Sequence, residues 1–247
     1  MVIDFSSVKF IIFDFDGVLF NGLEAIKLGI KDAIAKYSLN DVDYMQAVDE
    51  IALLIQKLMA IPIPKIILQS YQLLKELAFL NGKSYFKKLQ IGLSIYQQYL
   101  KEIEELGLYE GIPEMLSILD GKGIKFAILT SGMKSSVLEK LKKFGIDSYF
   151  PDELIIGAGE VSPGRVKPDP EGIEIIVQRA DLSSLLDENG IIFIGDMHTD
   201  VQAGKNAFEG KGVKTVGIKS GYDSKLAEKN PDLLLETTTQ LLGYFRE

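Results

Sequence analysis

Two aspartates follow the first apolar run of this sequence, in the segment FDFDGVL at residues 13–19. Asp14 and Asp16 lie two positions apart at the end of a predicted strand, so their side chains leave the same face. Paired carboxylates at the carboxyl end of a strand attract a divalent cation, and Gly17 allows the chain to turn away directly afterwards. Taken alone, the segment is also compatible with an Asp-rich turn that simply ends a strand.

Hydroxyl side chains follow a second apolar run, in the segment ILTSGM at residues 128–133. Thr130 and Ser131 precede Gly132 and a helical pattern. Hydroxyl and backbone donors beside a helix N-terminus can bind an anion, which predicts an anion site. The alternative is ordinary capping of the helix by Ser or Thr.

A lysine precedes a proline in the third segment, RVKPDP at residues 165–170. Pro168 restricts Lys167 to an extended conformation just before a predicted helix. An ammonium group in this place can neutralise a phosphate or a cluster of carboxylates. A solvated surface lysine is the alternative for this residue taken alone.

The fourth segment, FIGDMHTDVQAG at residues 193–204, contains two more aspartates. Asp196 ends a predicted strand and Asp200 lies near the start of the next helix, so both can face one crevice as hard oxygen ligands for Mg²⁺. Their alternative role is to cap the helix and complement its dipole. His198, the only histidine, is interpreted as a loop residue because nothing here supplies a Ser or Cys nucleophile for it to activate.

The elements that position these residues follow from two hydrophobic patterns. Short apolar runs bounded by Gly, Asp or Pro are typical of buried parallel strands. Helical periodicity fills the intervals, for example after Pro113 and before Gly145. Strands alternating with helices predict an α/β fold with a doubly wound, Rossmann-like parallel sheet, which gathers the four segments at one edge. The predicted strands lie within residues 9–15, 124–129, 153–156, 190–196, 213–218 and 232–236.

A stretch without strand pattern interrupts the α/β chain directly after its first strand. Apolar residues at helical spacing predict helices there, with a break at the prolines of residues 61–64 and later helices at roughly 65–80 and 84–105. We interpret the stretch as an inserted domain. The predicted domains are an α/β catalytic core at residues 1–19 and 107–247 and an all-helical cap domain at residues 20–106.

Composition argues against several other classes of protein. The chain has 247 residues, 47% of them apolar and 25% charged, which is the balance of a globular protein. Its net charge of −8 argues against a large nucleic-acid interface. The absence of Cys and the single His argue against disulfides and the usual zinc sites. No apolar run approaches the roughly 20 residues that cross a bilayer, so we expect a cytoplasmic protein that binds neither membrane nor nucleic acid.

With these segments in this order, the α/β part of the chain resembles the haloacid dehalogenase (HAD) superfamily. The resemblance rests on FDFDGVL, YEGIPEMLSILDGKGIKFAILTSG, VKPDPEGI and GDMHTDVQAGKNA, with VGIKSGY and PDLLLE further on. The helical insert resembles the cap of the phosphoglycolate-phosphatase-like branch. The sequence departs from the family pattern at Ser131, where Asn is frequent, and at Asn21-Gly22, where many relatives have Asp-Ser.

The resemblance implies a role for each of these side chains. Asp14 corresponds to the nucleophile and Asp16 to the general acid/base. Thr130 corresponds to the hydroxyl that binds the phosphoryl group, Ser131 retains a donor to phosphate, and Lys167 steadies nucleophile and phosphate. The implied cofactor is Mg²⁺, held by Asp14, Asp16 through its backbone carbonyl, Asp196 and Asp200.

The implied function is a magnesium-dependent phosphatase that hydrolyses a small phosphate monoester through an aspartyl-phosphate intermediate. Its partner would be a small phosphorylated metabolite, and closure of the cap would exclude bulk water. A sugar-phosphate mutase of the same superfamily is the first alternative, although its cap-hinge histidine has no counterpart before His198. Dehalogenases and phosphonatases usually lack the acid found here at Asp16.

Two further alternatives come from other classes of protein. A phospho-accepting signalling receiver also uses Asp, Thr and Lys on a doubly wound sheet, but it is much shorter and has no place for the insertion. A catalytically silent binding protein on this fold would not need competent residues at all the motif positions.

Overall fold

The computed structural model describes residues 3–59, 73–157, 159–219, 223 and 225–245. The chain divides into two compact units. One unit is Met1–Phe20 together with Leu108–Glu247, and the other is Asn21–Gly107.

The second unit contains helices and no strand among its described residues. Its helices are α1 (Gly22–Tyr37), α2 (Tyr44–Met59) and α3 (Tyr85–Ile103), and residues 73–76 are helical as well. α1 and α3 pack closely, because a side chain at Gly29 would lie only 2.8 Å from the carbonyl oxygen of Ile95. The predicted break at 61–64 and most of the predicted helix at 65–80 lie outside the described residues.

The first unit contains a six-stranded sheet in which every neighbouring pair is parallel. The strand order is β3-β2-β1-β4-β5-β6, and every strand lies within one of the predicted apolar runs. The predicted doubly wound α/β sheet is therefore confirmed. The strands are β1 (Phe10–Phe13), β2 (Lys125–Leu129), β3 (Ile155–Ile156), β4 (Ile191–Gly195), β5 (Val213–Ile218) and β6 (Leu233–Leu235).

The strand order reverses at β1, which has β2 on one side and β4 on the other. Phe13, the last residue of β1, is paired with Ile128 and Ile194, so the carboxyl ends of the three strands are nearly level. Open α/β sheets bind ligands in the crevice at such a reversal. The residues that emerge at this edge are Asp14, Thr130 and Asp196.

Helices cover the sheet of the first unit. Pro113 stands in the first turn of α4, and Gly145 follows α5 with a φ of +68°, as the sequence predicts. Ile173 and Ile176 of α6 are fully buried in a core that includes Phe193 of β4. None of the described helices is long and apolar enough to cross a bilayer. The helices are α4 (Ile112–Gly121), α5 (Lys134–Lys143), α6 (Glu171–Arg179), α7 (Ser183–Asp187) and α8 (His198–Asn206).

Candidate active site

An ion-paired cluster lies at the carboxyl edge of the sheet. The Nζ atom of Lys167 is 2.8 Å from Oδ1 of Asp14 and 2.6 Å from Oδ1 of Asp200. Only 3% of the Lys167 side chain is exposed, against 6% for Asp14 and 1% for Asp200. Lys167 reaches the cluster from the loop before α6, where its peptide bond to Pro168 is cis. Lys167 is therefore not a solvated surface lysine.

Asp200 holds together residues 196–200, which are the turn after β4 and the first turn of α8 and are called the 196–200 loop below. Its Oδ2 accepts hydrogen bonds from the backbone N–H groups of Asp196, at 3.1 Å, and Met197, at 2.9 Å. The close packing of Asp200 requires Gly195, because a Cβ at that position would lie 2.1 Å from the Cβ of Asp200. Asp200 thus fixes the backbone of the 196–200 loop with one oxygen and faces Lys167 with the other.

Three carboxylates of the cluster lie close enough together to hold a cation. One oxygen from each of Asp14, Asp196 and Asp200 lies within 4.8 Å of the others, and all three residues are buried. One lysine cannot neutralise three buried carboxylates, and hard oxygen donors are the ligands that Mg²⁺ prefers. This donor set fits a divalent cation. The carboxylate of Asp16 is not part of the group, which leaves its backbone carbonyl as the predicted ligand.

The electrostatics of the cluster bear on which groups are charged. Burial raises the pKa of Asp14 to about 7, and Asp200 adds to the rise while Lys167 opposes it. Burial favours the neutral amine of Lys167, but its two carboxylate partners outweigh burial and raise its pKa. In the metal-free protein burial therefore favours the protonated form of Asp14 more than in a solvated aspartate. A nearby cation would favour its ionised form.

Asp16 lies in a tight turn after β1. Gly17 has a φ of +85°, and its N–H donates to the carbonyl oxygen of Phe20 at 2.8 Å. Burial raises the pKa of Asp16, while the charges of Lys140 and Lys167 oppose the rise. Lys140 extends from α5, with its Nζ 4.2 Å from the centroid of the Phe20 ring. A carboxyl group with a raised pKa is suited to donate a proton near neutral pH.

Thr130 and Ser131 line a pocket together with Lys167. Neither hydroxyl caps α5, since that helix begins at Lys134 without a side-chain cap. Thr130 Oγ1 accepts the N–H of Gly132 at 3.0 Å, which leaves its hydroxyl hydrogen free to be donated to a ligand. The pocket has an empty volume of about 260 Å³ that includes open solvent, and its other lining residues are Leu129, Gly157, Val161, Arg165, Val166, Asp169 and Gly172.

The geometry of the site agrees with a known protein family. The profile of the haloacid dehalogenase-like hydrolases matches residues 11–218, from within β1 to the last residue of β5. That range includes every residue predicted for the site. The chain belongs to this family. The resemblance inferred from the motifs is confirmed, and the protein is a HAD-like hydrolase.

Named relatives of this HAD-like chain are phosphatases. The pyrophosphatase PpaX of Listeria welshimeri is 35% identical over 156 residues, which are 62% of this chain and 66% of that protein, just under two thirds of its length. The phosphoglycolate phosphatase of Haemophilus influenzae is 28% identical over 250 residues, covering 95% of this chain and 97% of its own. The crystal structure of a predicted phosphoglycolate phosphatase from Haemophilus somnus shares the fold, with a TM-score of 0.65, 21% identity and coverage of 97% and 99%.

Three residues at or beside the HAD-like site were not predicted from the sequence. Lys140 is one of four lysines in α5, so the sequence does not distinguish it. Gly157 lines the pocket and packs closely against the start of α5, because a Cβ there would lie 2.8 Å from the backbone nitrogen of Lys134. Asp223 accepts the backbone N–H of His198, which is 25 residues away in the sequence. No local pattern indicates contacts at such separations.

Proposed function

We propose that the protein is a magnesium-dependent phosphatase that hydrolyses a small phosphate monoester through an aspartyl-phosphate on Asp14. The observation that carries the proposal is the buried cluster in which Lys167 contacts Asp14 and Asp200 while three carboxylates converge. A site for a phosphate alone would not gather buried carboxylates, because they repel an anion. A site for a cation alone would not need Lys167 and the hydroxyls of Thr130 and Ser131 beside it.

The residues that would hold Mg²⁺ are Asp14, Asp196 and Asp200 through their carboxylates and Asp16 through its backbone carbonyl. When bound, Mg²⁺ supplies the positive charge that reduces repulsion between the nucleophile and the phosphate and favours the ionised form of Asp14. Lys167 supplies a second positive charge, fixed by its contacts at 2.8 and 2.6 Å.

In the first step, an oxygen of Asp14 attacks phosphorus and forms the P–O bond of an aspartyl phosphate. The bond from phosphorus to the leaving oxygen breaks, and Asp16 gives its proton to that oxygen. The raised pKa of Asp16 supports this role, since the acid must be protonated before the step.

In the second step, water attacks the phosphorus of the aspartyl phosphate. Asp16, now a carboxylate, takes a proton from the water, and the bond from phosphorus to Asp14 breaks to release inorganic phosphate. Thr130, Ser131 and Lys167 would stabilise charge on the equatorial oxygens in both steps, which is the largest contribution to phosphoryl transfer.

The relatives narrow the class of substrate that we propose. One is named a pyrophosphatase and another a phosphoglycolate phosphatase, so both names point to small, strongly anionic phosphates. We propose a substrate of this class. We further propose that residues 20–106 act as the cap domain that selects the leaving group.

A phosphatase assay with p-nitrophenyl phosphate, with excess Mg²⁺ or with EDTA, tests the proposal. We expect turnover only with the metal, and Asp14→Asn should lower kcat by more than roughly 10³-fold. Asp16→Asn should lower kcat by about 10²- to 10⁴-fold because both steps use its proton. Asp120→Asn, which changes an exposed aspartate on α4, is the matched control and should keep full activity.

Four results would contradict the proposal. Asp14→Asn with a tenth of the wild-type kcat would refute the nucleophile. Turnover that persists in EDTA would refute the metal requirement. Stoichiometric phosphorylation without release of phosphate would favour a receiver, and transfer between positions of a sugar phosphate would favour a mutase. A panel containing pyrophosphate and phosphoglycolate would then identify the substrate class.

A further inference from the structure

We propose that Asp223 and His198 form a clamp that positions the 196–200 loop for metal binding. Asp223 Oδ2 accepts the backbone N–H of His198 and also contacts its ring Nδ1, each at 2.5 Å. Only 6% of the Asp223 side chain is exposed, against 26% of the His198 side chain. This inference rests on the proposed function, because the loop matters only if Asp196 and Asp200 hold the cation.

The clamp acts on the first turn of α8. The first N–H groups of a helix have no acceptor within the helix, and His198 is the first residue of α8. Asp223 satisfies that N–H from a different segment, after β5, and its negative charge also complements the helix dipole. The first turn of α8 is therefore tied to the chain segment that follows the neighbouring strand.

Two aspartates thus restrain the 196–200 loop from different sides. Asp200 accepts the N–H groups of Asp196 and Met197 from within the loop. Asp223 accepts the next N–H along the chain, that of His198, from outside it. Three consecutive backbone groups are therefore fixed by carboxylates. Since Asp196 carries the first of these groups and Asp200 lies two residues beyond the last, the clamp limits how far their own carboxylates can move.

The ring contact adds specificity to the clamp. A carboxylate only accepts hydrogen bonds, so Nδ1 of His198 must carry a hydrogen for this contact. The hydrogen bond to the backbone N–H restrains the position of the loop backbone. The contact with the ring also restrains the rotamer of the His198 side chain. Groups hydrogen-bonded directly to metal ligands orient them, and their loss typically weakens metal affinity by about 10- to 100-fold. Asp223 acts on the ligands through the backbone of His198, so we expect an effect at the lower end of this range. His198 is therefore a positioning residue rather than a catalytic one.

The test measures Mg²⁺ affinity by titration calorimetry and thermal stability in EDTA for the same variants. Asp223→Ala should raise the Kd for Mg²⁺ by about tenfold, with kcat at saturating Mg²⁺ within about threefold of wild type. Asp232→Ala is the matched control, because Asp232 also accepts a backbone N–H and a side-chain donor, both from Thr215 in β5. The control should lower the melting temperature and leave the Kd for Mg²⁺ unchanged.

A pair of variants at His198 keeps the test decisive if Asp223→Ala does not fold. In His198→Asn, the amide nitrogen stands near the place of Nδ1 and can donate to Asp223, so Mg²⁺ affinity should be retained. In His198→Leu that donor is lost and the Kd should rise. The double variant His198→Leu with Asp223→Ala should bind Mg²⁺ no more weakly than Asp223→Ala alone, since the two residues act together.

The outcomes separate the clamp from the proposed function. If the wild type binds Mg²⁺ and hydrolyses phosphate esters, but Asp223→Ala and Asp232→Ala show the same unchanged Kd, the clamp is overturned and the phosphatase stands. Equal Kd values for His198→Asn and His198→Leu would overturn it too. If the wild type itself neither binds Mg²⁺ nor turns over substrate, the proposed function fails and the clamp fails with it.

Discussion

The substitution Lys167→Met removes the only cation in direct contact with Asp14 and Asp200 among the ion pairs of the described residues. Methionine keeps an unbranched stem of similar length, so the change deletes the charge with little change of packing. Two buried carboxylates then face each other with no neutralising partner. The melting temperature of the metal-free protein and the kcat of the enzyme should both fall, and the fall in melting temperature should depend on pH.

The size of the stability effect follows from burial. Removing one partner of a buried ion pair typically costs about 3–5 kcal/mol. For a chain of this length, each kcal/mol corresponds to roughly 2–4 °C in melting temperature. We therefore expect the metal-free variant at pH 8 to melt roughly 6–20 °C below the wild type. Loss of a charge aimed at the transferred phosphoryl group should also lower kcat by about 10²- to 10³-fold.

The pH dependence has a definite sign. The pKa of Asp14 is raised to about 7 in the wild type, so its contribution to stability is complete below pH 4 and declines as the pH rises to about 7. Without Lys167 the pKa of Asp14 rises further, and the decline extends above pH 7. The gap in melting temperature between wild type and Lys167→Met should therefore be larger at pH 8 than at pH 5.

Differential scanning fluorimetry in EDTA at pH 5 and pH 8 measures this gap, and titration calorimetry measures Mg²⁺ binding. The lysine charge repels a cation, so Lys167→Met should bind Mg²⁺ at least as tightly as the wild type. Lys125→Met is the control, because Lys125 pairs with Asp120 on the surface and its loss should change stability by less than about 1 kcal/mol. A wild-type melting temperature for Lys167→Met at pH 8 would refute the reasoning.

Two further predictions concern the metal and the phosphate loop. Asp14 must lose its proton to hold Mg²⁺, so the Kd for Mg²⁺ should rise by about tenfold per pH unit below pH 7. If calorimetry finds the same Kd from pH 5.5 to 8, Asp14 is not a ligand of the cation. In Gly157→Ala the new Cβ would lie 2.8 Å from the nitrogen of Lys134 and 2.9 Å from the oxygen of Gly132, so the loop after Thr130 must shift. Gly157→Ala should raise KM by about tenfold in steady-state kinetics and lower the free energy of unfolding by about 1–3 kcal/mol. The control Gly121→Ala, whose new Cβ has nothing within 4 Å, should match the wild type. Equal KM values for the two variants would contradict this prediction.

The sequence predicted the parts of the fold and site that depend on local pattern. The six strands lie within their apolar runs because short buried parallel strands need continuous apolar residues. Asp14 and Asp196 directly follow strands β1 and β4, so a parallel sheet necessarily brings them to one edge. The closeness of Asp14 to Lys167, 153 residues apart in sequence, followed only from the conjunction of motifs and not from either segment alone.

The sequence could not predict contacts that depend on the path of a loop or the reach of a long side chain. Lys140 acts on Asp16 because one of four lysines in α5 happens to face the stacked rings of Phe15 and Phe20. Asp223 meets His198 only because the chain after β5 passes the start of α8. Gly157 looks like any loop glycine until the backbone of Gly132 and Lys134 is known to lie against it.

The proposed mechanism requires opposite protonation states of two neighbouring aspartates, since Asp14 must be ionised to attack and Asp16 must be protonated to donate. Burial raises the pKa of both carboxyl groups, so burial alone would suit Asp16 and disable Asp14. Lys167 contacts Asp14 at 2.8 Å and still leaves its pKa near 7. A further positive charge beside Asp14, but not beside the carboxylate of Asp16, is what separates the two roles. The three converging carboxylates include Asp14 and exclude that of Asp16, so a cation held there would favour ionisation of the nucleophile more strongly than ionisation of the acid.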